Sequence, residues 1–327
     1  MSAPPSELYA GIDLGGTKIL VLIADRDGRV LGTSREPTLA QQGPESVIIR
    51  IVESVRAAAA EANVDLAAIR ADGVSAPGPI DAVDGVITDP PNLPGWHNVP
   101  LAGILHERLA LPIILENDAN CQAVAEHQFG AGRGYRDMIF VTISTGIGGG
   151  IIINDKLYAG ASGAAGEVGH VGVAADGPMC GAGHPGCLEA YASGTAIAAR
   201  ARDMIAAGGL PRTARLAEHN PPLSAKTVYL AGQQGEAEAA AIIHSAGQYL
   251  GIGLATLINV FNPQAIVIGG GLSNMGDDIL GPAVETARAR SFGQSFMDVR
   301  IIEGSLGEKS AALGAIAVAR DRTARIR

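Results

Sequence analysis

The apolar positions of this chain fall into two kinds of run. Over residues 9–25 the order Y-A-G-I-D-L-G-G-T-K-I-L-V-L-I-A-D sets two β-rich apolar stretches on either side of a Gly-Gly-Thr-Lys turn. Over residues 138–155 the order M-I-F-V-T-I-S-T-G-I-G-G-G-I-I-I-N-D repeats it: apolar strand, hydroxyl-glycine turn, apolar strand, terminal Asp. One grammar used twice predicts an internal repeat. Shorter apolar runs predict strands over 30–34, 73–75, 112–115, 265–268 and 299–302. Between them the spacing becomes helical. Val47, Ile51, Val55 and Ala58 share one face of a predicted helix over 44–62. Further helices are predicted over 100–109, 119–129, 188–204 and 237–261, with an amphipathic one over 309–321. Strands alternating with helices in this way predict an α/β fold.

Candidate chemistry lies where the apolar runs stop. The glycines of the 15–18 turn let backbone approach a ligand closely, and consecutive N–H groups there form an anion nest. Asp13 sits inside an apolar strand, where a carboxylate needs a partner. A hydrated magnesium ion on a nucleotide is one such partner; an ordinary glycine hairpin with a strand-end Asp is the other reading. Asp118 follows a predicted strand and opens a predicted helix. It reads either as a helix N-cap or as a general base at the strand's C-terminal end. The segment 89–97, D-P-P-N-L-P-G-W-H, is a proline-stiffened loop. Either Trp96 plugs the core beneath it, the reading composition favours, or the loop lines a polar pocket. His170, Cys180, His184 and Cys187 are spaced H-x9-C-x3-H-x2-C, which suits a metal site or two buried cysteines with two loop histidines. Gly269, Gly270 and Gly271 follow a strand. They serve either a flat ligand such as adenine or a plain strand-to-helix turn.

Composition narrows the classes. The chain has 327 residues, enough for two domains, and is 47% hydrophobic. A net charge of −9 argues against nucleic acid as a general partner. Three cysteines are an odd number, which disfavours a disulfide framework and fits a reducing cytoplasm. No basic, apolar leader pattern is read at the N-terminus, and the apolar run over 250–261 is too short and interrupted for a membrane span.

Taken together, these motifs resemble the ROK family of sugar kinases, within the actin-like ATPase superfamily, over essentially the full length. D-L-G-G-T-K (Asp13 to Lys18) and S-T-G-I-G-G-G (Ser144 to Gly150) resemble the family's two phosphate motifs. P-N-L-P-G-W (Pro91 to Trp96) and E-N-D (Glu116 to Asp118) are similar to its sugar loop and catalytic motif. G-E-V-G-H (Gly166 to His170) and C-L-E-A-Y-A-S-G (Cys187 to Gly194) resemble its signature around a metal. The resemblance implies the actin-like ATPase (ribonuclease H-like) fold, two α/β domains closing over a central cleft. The small domain would span 1–118, with a C-terminal helix over about 305–327 packing back on it, and the large domain 119–304.

The same resemblance implies site roles. Asp118 would be the general base. Asn92, Asn117, Asp118, Glu167, His170 and Glu189 would hold the sugar. Gly15, Gly16, Thr17, Lys18, Thr145 and Gly146 would cradle the phosphates of ATP. Gly270 and Gly271 would lie near the adenosine, and Asp13 would face Mg²⁺. The family's metal pattern resembles His, C-x-C and a further Cys, and here Ala182 stands at the middle cysteine. By resemblance to some fructokinase-like relatives, which use C-x2-H-x2-C here, His184 would complete the zinc set with His170, Cys180 and Cys187; a weak or absent metal, with packing holding the loop, is the alternative. The implied activity is an ATP-dependent hexose kinase of the glucokinase type, cytoplasmic, with a small-molecule sugar and nucleotide as its partners, and a homodimer or homotetramer. Fructokinase, N-acetylmannosamine kinase and allokinase activities, a polyphosphate donor, and a non-catalytic sugar-sensing regulator are the alternatives. The regulators carry an N-terminal helix-turn-helix, which is not expected here because the phosphate motif begins near residue 9.

Overall fold

The structure, a computed structural model, describes residues 7–219 and 221–324. Residues 1–6 of the expected first domain and 325–327 of the expected C-terminal helix lie outside the described residues. The chain divides into two compact units. One comprises Met1–Gly134, Gly150–Ala165 and Ser305–Arg327, the other Tyr135–Gly149 and Gly166–Gly304.

In chain order the first unit opens with β1 (Leu8–Leu14), β2 (Lys18–Asp25), β3 (Val30–Pro37), α1 (Pro44–Glu61) and β4 (Ile69–Ala76). A two-strand ribbon of β5 (Ile80–Asp81) and β6 (Val86–Ile87) follows, then α2 (Leu101–Leu109), β7 (Ile113–Asn117) and α3 (Asp118–Gln128). The sheet order is β3-β2-β1-β4-β7, with an antiparallel hairpin at one side and parallel strands at the other. Alternation along β1 and β2 feeds two layers. Ala10, Ile12, Leu14, Ile19, Val21 and Ile23 pack with Val47, Ile51 and Val55 of α1 and Leu101 and Leu105 of α2. Trp96 is fully buried in this layer, so the 89–97 loop is pinned by its aromatic, as composition favoured.

The opposite face takes Tyr9, Leu20, Leu22 and Ala24 against the last helix, α11 (Ser310–Ala324). Small residues set the spacing of that contact. A Cβ on Gly11 would stand 2.2 Å from the Ala312 carbonyl oxygen, and one on Gly73 2.0 Å from that of Ala315. A Cβ on Gly314 would meet the Cys121 carbonyl oxygen of α3 at 1.7 Å. The helix therefore lies flush on β1, β4 and α3, and every residue from Ser310 to Ala319 is buried. The expected amphipathic pattern is absent, because sheet and α3 close on it from different sides.

Asp72 of β4 is the outlier of this core. Val74 and Ala76, two and four residues on and so on the same face, belong to the α1/α2 layer. Asp72 is fully buried, and neither carboxyl oxygen meets a hydrogen-bond donor among the described residues. Burial pushes its acid far above the usual carboxylate range. The folded state keeps the proton that the unfolded chain loses near pH 4, so stability falls as pH rises above that point. Asp72→Val is expected to raise the melting temperature at pH 8 by about 2 kcal/mol of stability, or about 4–8 °C. The gap should be larger at pH 8 than at pH 5. Calorimetry at the two pH values checks it, and a lower melting temperature for the variant would reject this account.

The second sheet follows the same plan. Its strands are β8 (Met138–Ile143), β9 (Ile147–Ile153), β10 (Lys156–Leu157), β11 (Ala265–Gly269) and β12 (Arg300–Glu303), in the order β10-β9-β8-β11-β12. Numbered within each sheet, both orders are 3-2-1-4-5, with parallel pairing from the first strand outward. The internal repeat read in the sequence is thus a repeat of topology.

The helices between β10 and β11 are α4 (Glu189–Ala192), α5 (Gly194–Ala206), α6 (Pro211–His219), α7 (Ala225–Gln233) and α8 (Ala237–Phe261). The expected single helix over 188–204 breaks at Ser193, whose hydroxyl caps the Ala196 N–H at 3.1 Å. After β11 come α9 (Asp277–Arg290) and α10 (Gly293–Asp298). Gly247 and Gly251 of α8 face α9 carbonyls at 2.3 and 2.4 Å from where a Cβ would stand. Asn262, in the left-handed region at φ 45°, and Pro263 end α8. By length and composition α8 passes as a membrane span, but 61% of that window is buried inside the unit, as in a core helix.

Candidate active site

The first unit supplies a carboxylate-rich corner. Glu116 ends the core of β7, is 3% exposed, and organises the turn that follows. Its Oε1 accepts from the Asn117 N–H and the Asn120 side-chain amide, both at 3.0 Å, and its Oε2 pairs with Arg322 of α11. Asn117, not Asp118, is the N-cap of α3: its side-chain oxygen accepts from the N–H groups of Ala119 at 2.9 Å and Asn120 at 3.3 Å. The cap alternative for Asp118 is thereby answered. Asp118 is the first residue of the helix, with one oxygen accepting from the Ala119 N–H at 2.8 Å. The helix dipole there favours its ionised form.

Asp13 lies near enough for Asp118 to be felt. Burial pushes the Asp13 acid up to about 7; Lys18 opposes the rise, while Asp118 and Glu308 add to it. Lys18 Nζ stands 3.4 Å from Glu308, which Arg35 also contacts at 3.3 Å. The 15–18 turn is tied by the Gly15 N–H to the Lys18 carbonyl at 2.9 Å and by the buried Thr38 hydroxyl to the Gly15 carbonyl at 2.6 Å. Gly16 is needed because a Cβ there would meet the Asn92 carbonyl oxygen at 2.8 Å. That contact sets the exposed Asn92 loop against the turn. The hard oxygen donor of Asp13 beside a backbone nest fits a magnesium ion carried on phosphates.

If Asp13 holds the magnesium of a nucleotide, a proton competes with the cation there, and the affinity for magnesium-bound nucleotide is expected to fall about tenfold per pH unit below pH 7. Asp13→Asn should bind weakly with a flat profile. Nucleotide titrations between pH 5.5 and 8.5 read this, and a wild-type profile as flat as the variant's would reject it.

The second unit supplies the other turn. Thr145 is held by Thr195, whose N–H and hydroxyl reach the Thr145 carbonyl at 3.1 and 2.9 Å. A Cβ on Gly146 would stand 2.7 Å from Glu189 Oε2, and that oxygen accepts from the Ile147 N–H at 3.3 Å. Glu189 Oε1 accepts from the Gly181 N–H at 3.2 Å. One carboxylate therefore braces the Thr145–Gly146 turn and the cysteine loop. Gly270, at φ 90°, faces the Ile143 carbonyl oxygen at 2.3 Å from a would-be Cβ, whereas the same position on Gly271 is open. Bare backbone at Gly271 is what contact with a flat ligand requires.

His170, Cys180, His184 and Cys187 each place a ligand atom within 4.8 Å of all the others. His170 divides its nitrogens. Nδ1 stands 3.5 Å from Cys180 Sγ, and Nε2 stands 3.9 Å from Glu167. Burial raises the Cys180 thiol, but the N–H groups of His184 and Ala182, then Cys187 and His170, outweigh it and leave it below its ordinary value. Two thiols and two imidazoles in this space suit tetrahedral zinc. His184, two residues beyond Ala182, brings its imidazole into this cluster.

The structure thus groups Asp13, Lys18 and Asp118 in one unit with Gly16 and Asn92, and Thr145, Gly146 and Glu189 in the other with the His/Cys cluster. Sequence reasoning missed Glu308 and gave Glu116, though part of the E-N-D motif, no role of its own. No local signal marks Glu308, which meets Lys18 across 290 residues.

A model of the ROK family matches residues 9–322. The chain belongs to the ROK family. It is 35% identical over 318 residues to the glucokinase of Thermotoga maritima, covering 97% of this chain and 99% of that one. A ROK family glucokinase from Streptomyces griseus, solved with glucose and AMPPNP, is 34% identical with a TM-score of 0.81, covering 96% of this chain and 99% of that one. The xylose repressor of Caldicellulosiruptor bescii is 30% identical over 308 residues, covering 94% of this chain and 77% of that one. The fold of this ROK chain is accordingly the actin-like ATPase fold, with two five-stranded sheets that share one strand order. Since sugar kinases and sugar-linked repressors both carry ROK sequences, the family alone does not decide the activity.

Proposed function

We propose that this ROK chain is an ATP-dependent glucokinase that transfers the γ-phosphoryl group of ATP to the 6-hydroxyl of glucose. The observation that carries the reading is Asp118. A carboxylate at the start of α3, with the capping role taken by Asn117, stands in the electrostatic reach of Asp13, which Lys18 also reaches. A sugar-binding regulator has no use for such a base beside a phosphate turn.

In this reading Asp118 accepts the proton of the attacking sugar hydroxyl, and Asn92, Asn117, Glu167, His170 and Glu189 orient the remaining hydroxyls. The backbone of Gly15, Gly16, Thr17 and Gly146, with the Lys18 ammonium and Thr145, holds the phosphates. Gly270 and Gly271 admit the adenosine. Asp13 would hold magnesium, which when bound neutralises charge on the transferred group. His170, Cys180, His184 and Cys187 would hold a structural zinc, leaving His170 Nε2 toward the sugar. The zinc set, the site roles and a homodimeric or homotetrameric state belong to this proposal.

The test is ADP release from magnesium-ATP with glucose, mannose, fructose, allose, N-acetylglucosamine and N-acetylmannosamine. Glucose is expected to lead in kcat/KM. A different hexose in the lead would move the substrate and leave the mechanism. No turnover with any sugar by folded protein would overturn the kinase reading for ATP and put polyphosphate next.

A further inference from the structure

A second cationic cavity lies in the first unit at the far end of β2 from the phosphate turn. From Lys18 to Asp25 the strand covers about 23 Å, at roughly 3.3 Å per residue. The cavity is a solvent-open hollow of about 720 Å³ lined in part by Asp27, Arg29, Gln128, Phe129, Arg133 and Arg320. Three arginines against one lining aspartate stand out on a chain with a net charge of −9.

The arginines are not equivalent. Arg320 is fixed: it donates to the Arg26 carbonyl at 2.7 Å, to Asp321 at 2.9 Å and to Gln128, and its guanidinium lies 5.9 Å from the Phe129 ring centre. Arg29 and Arg133 are exposed and hold no ion pair among the described residues. The turn carrying Arg29 is preset by Asp25, whose side chain accepts from the Asp27 and Arg29 N–H groups, both at 3.0 Å. Gly28, at φ 81°, lets that turn sit on Phe129, where a Cβ would come within 2.9 Å of the ring. The negative end of α3 also points here, and two of its last four carbonyls are engaged. Ala125 accepts from the Phe129 N–H, and Glu126 from those of Gly130 and Gly132. Guanidinium groups hold an incoming anion by charge-assisted hydrogen bonds.

We propose that this cavity is a second anion site, taking a small phosphorylated metabolite through Arg29, Arg133 and the preset Arg320. Two features make it more than a charged surface. The volume suits a small molecule, and its fixed arginine shares a helix with Arg322, which holds Glu116 next to the Asn117–Asp118 turn. α3 itself runs from Asp118 to the cavity, about 15 Å at roughly 1.5 Å per residue. An anion bound at one end of α3 therefore pulls on the same two helices that seat Asp118.

The test is calorimetric titration of the full chain with ribose 5-phosphate, a phosphomonoester that is neither proposed substrate nor product, and with inorganic phosphate. The expected result is saturable binding of ribose 5-phosphate to the wild type. Binding should weaken at least tenfold in Arg29→Ala/Arg133→Ala and stay within twofold in Lys18→Ala, which disables the phosphate turn instead. Both arginines are exposed and unpaired, so the double variant should keep the wild-type melting temperature. Binding absent from the wild type, unchanged in the double variant, or lost in Lys18→Ala overturns the proposal. None of these outcomes depends on which sugar the chain phosphorylates.

Discussion

Asp118→Asn is expected to lower kcat for glucose phosphorylation by about 10³-fold while moving the KM for glucose less than threefold. The size follows from the role. A positioned general base contributes on the order of 10²–10⁴ in rate, and an amide of the same shape cannot take a proton. The near-constant KM follows from the local structure. The Ala119 N–H that meets Asp118 can be met by an amide oxygen just as well, and the cap of α3 belongs to Asn117. The helix should therefore start where it does in the wild type. Steady-state kinetics with a thermal melt beside them read the result. A fall of less than tenfold would remove Asp118 from the base role; a KM rise with kcat intact would make it a binding residue only.

That prediction rests on a residue the sequence could nominate but not place. The E-N-D turn was legible as a strand ending at a helix start. Which of Asn117 and Asp118 caps the helix was not, because Asn and Asp are equally good caps. The hairpins and their glycines were legible because apolar strands around a Gly turn have few other solutions; the strand order that the two sheets share was not read from the sequence. The break at Ser193 carried a readable signal, a Ser-Gly-Thr within an alanine-rich run, and the Ala-rich periodicity hid it. The burial of α11 was not readable. Its pattern of small residues is set by Gly11, Gly73 and Cys121 in distant segments, and periodicity reports only one contact face at a time. Glu308 is the same case for the site. A charge on the last connection becomes a neighbour of the phosphate turn only once α11 has docked.

The second large effect is expected in the metal cluster. Purified, chelator-washed protein should hold about one zinc per chain, and Cys187→Ser should hold almost none. Its KM for glucose should rise about 10- to 100-fold, with kcat lowered less. The donors, two cysteines and two histidines, lie within 4.8 Å of each other, near the roughly 3.3–3.8 Å spacing that tetrahedral zinc bonds of about 2.0–2.3 Å give. The expected loss appears in KM because of how His170 and Glu189 are held. His170 turns Nδ1 to the cluster and Nε2 to Glu167, while Glu189 accepts from Gly181 in the cysteine loop. Loosening that loop releases two groups proposed to hold sugar hydroxyls, and supports of this kind are worth about 10–100-fold. His184→Ala separates the departure at Ala182 from the rest. If His184 is the fourth ligand, this variant keeps zinc only weakly and loses it to a mild chelator that the wild type resists. Cys121→Ser, a buried thiol of the other unit, should leave zinc unchanged. Wild-type protein with well under one zinc per chain would reject the metal centre, and packing alone would then have to orient His170.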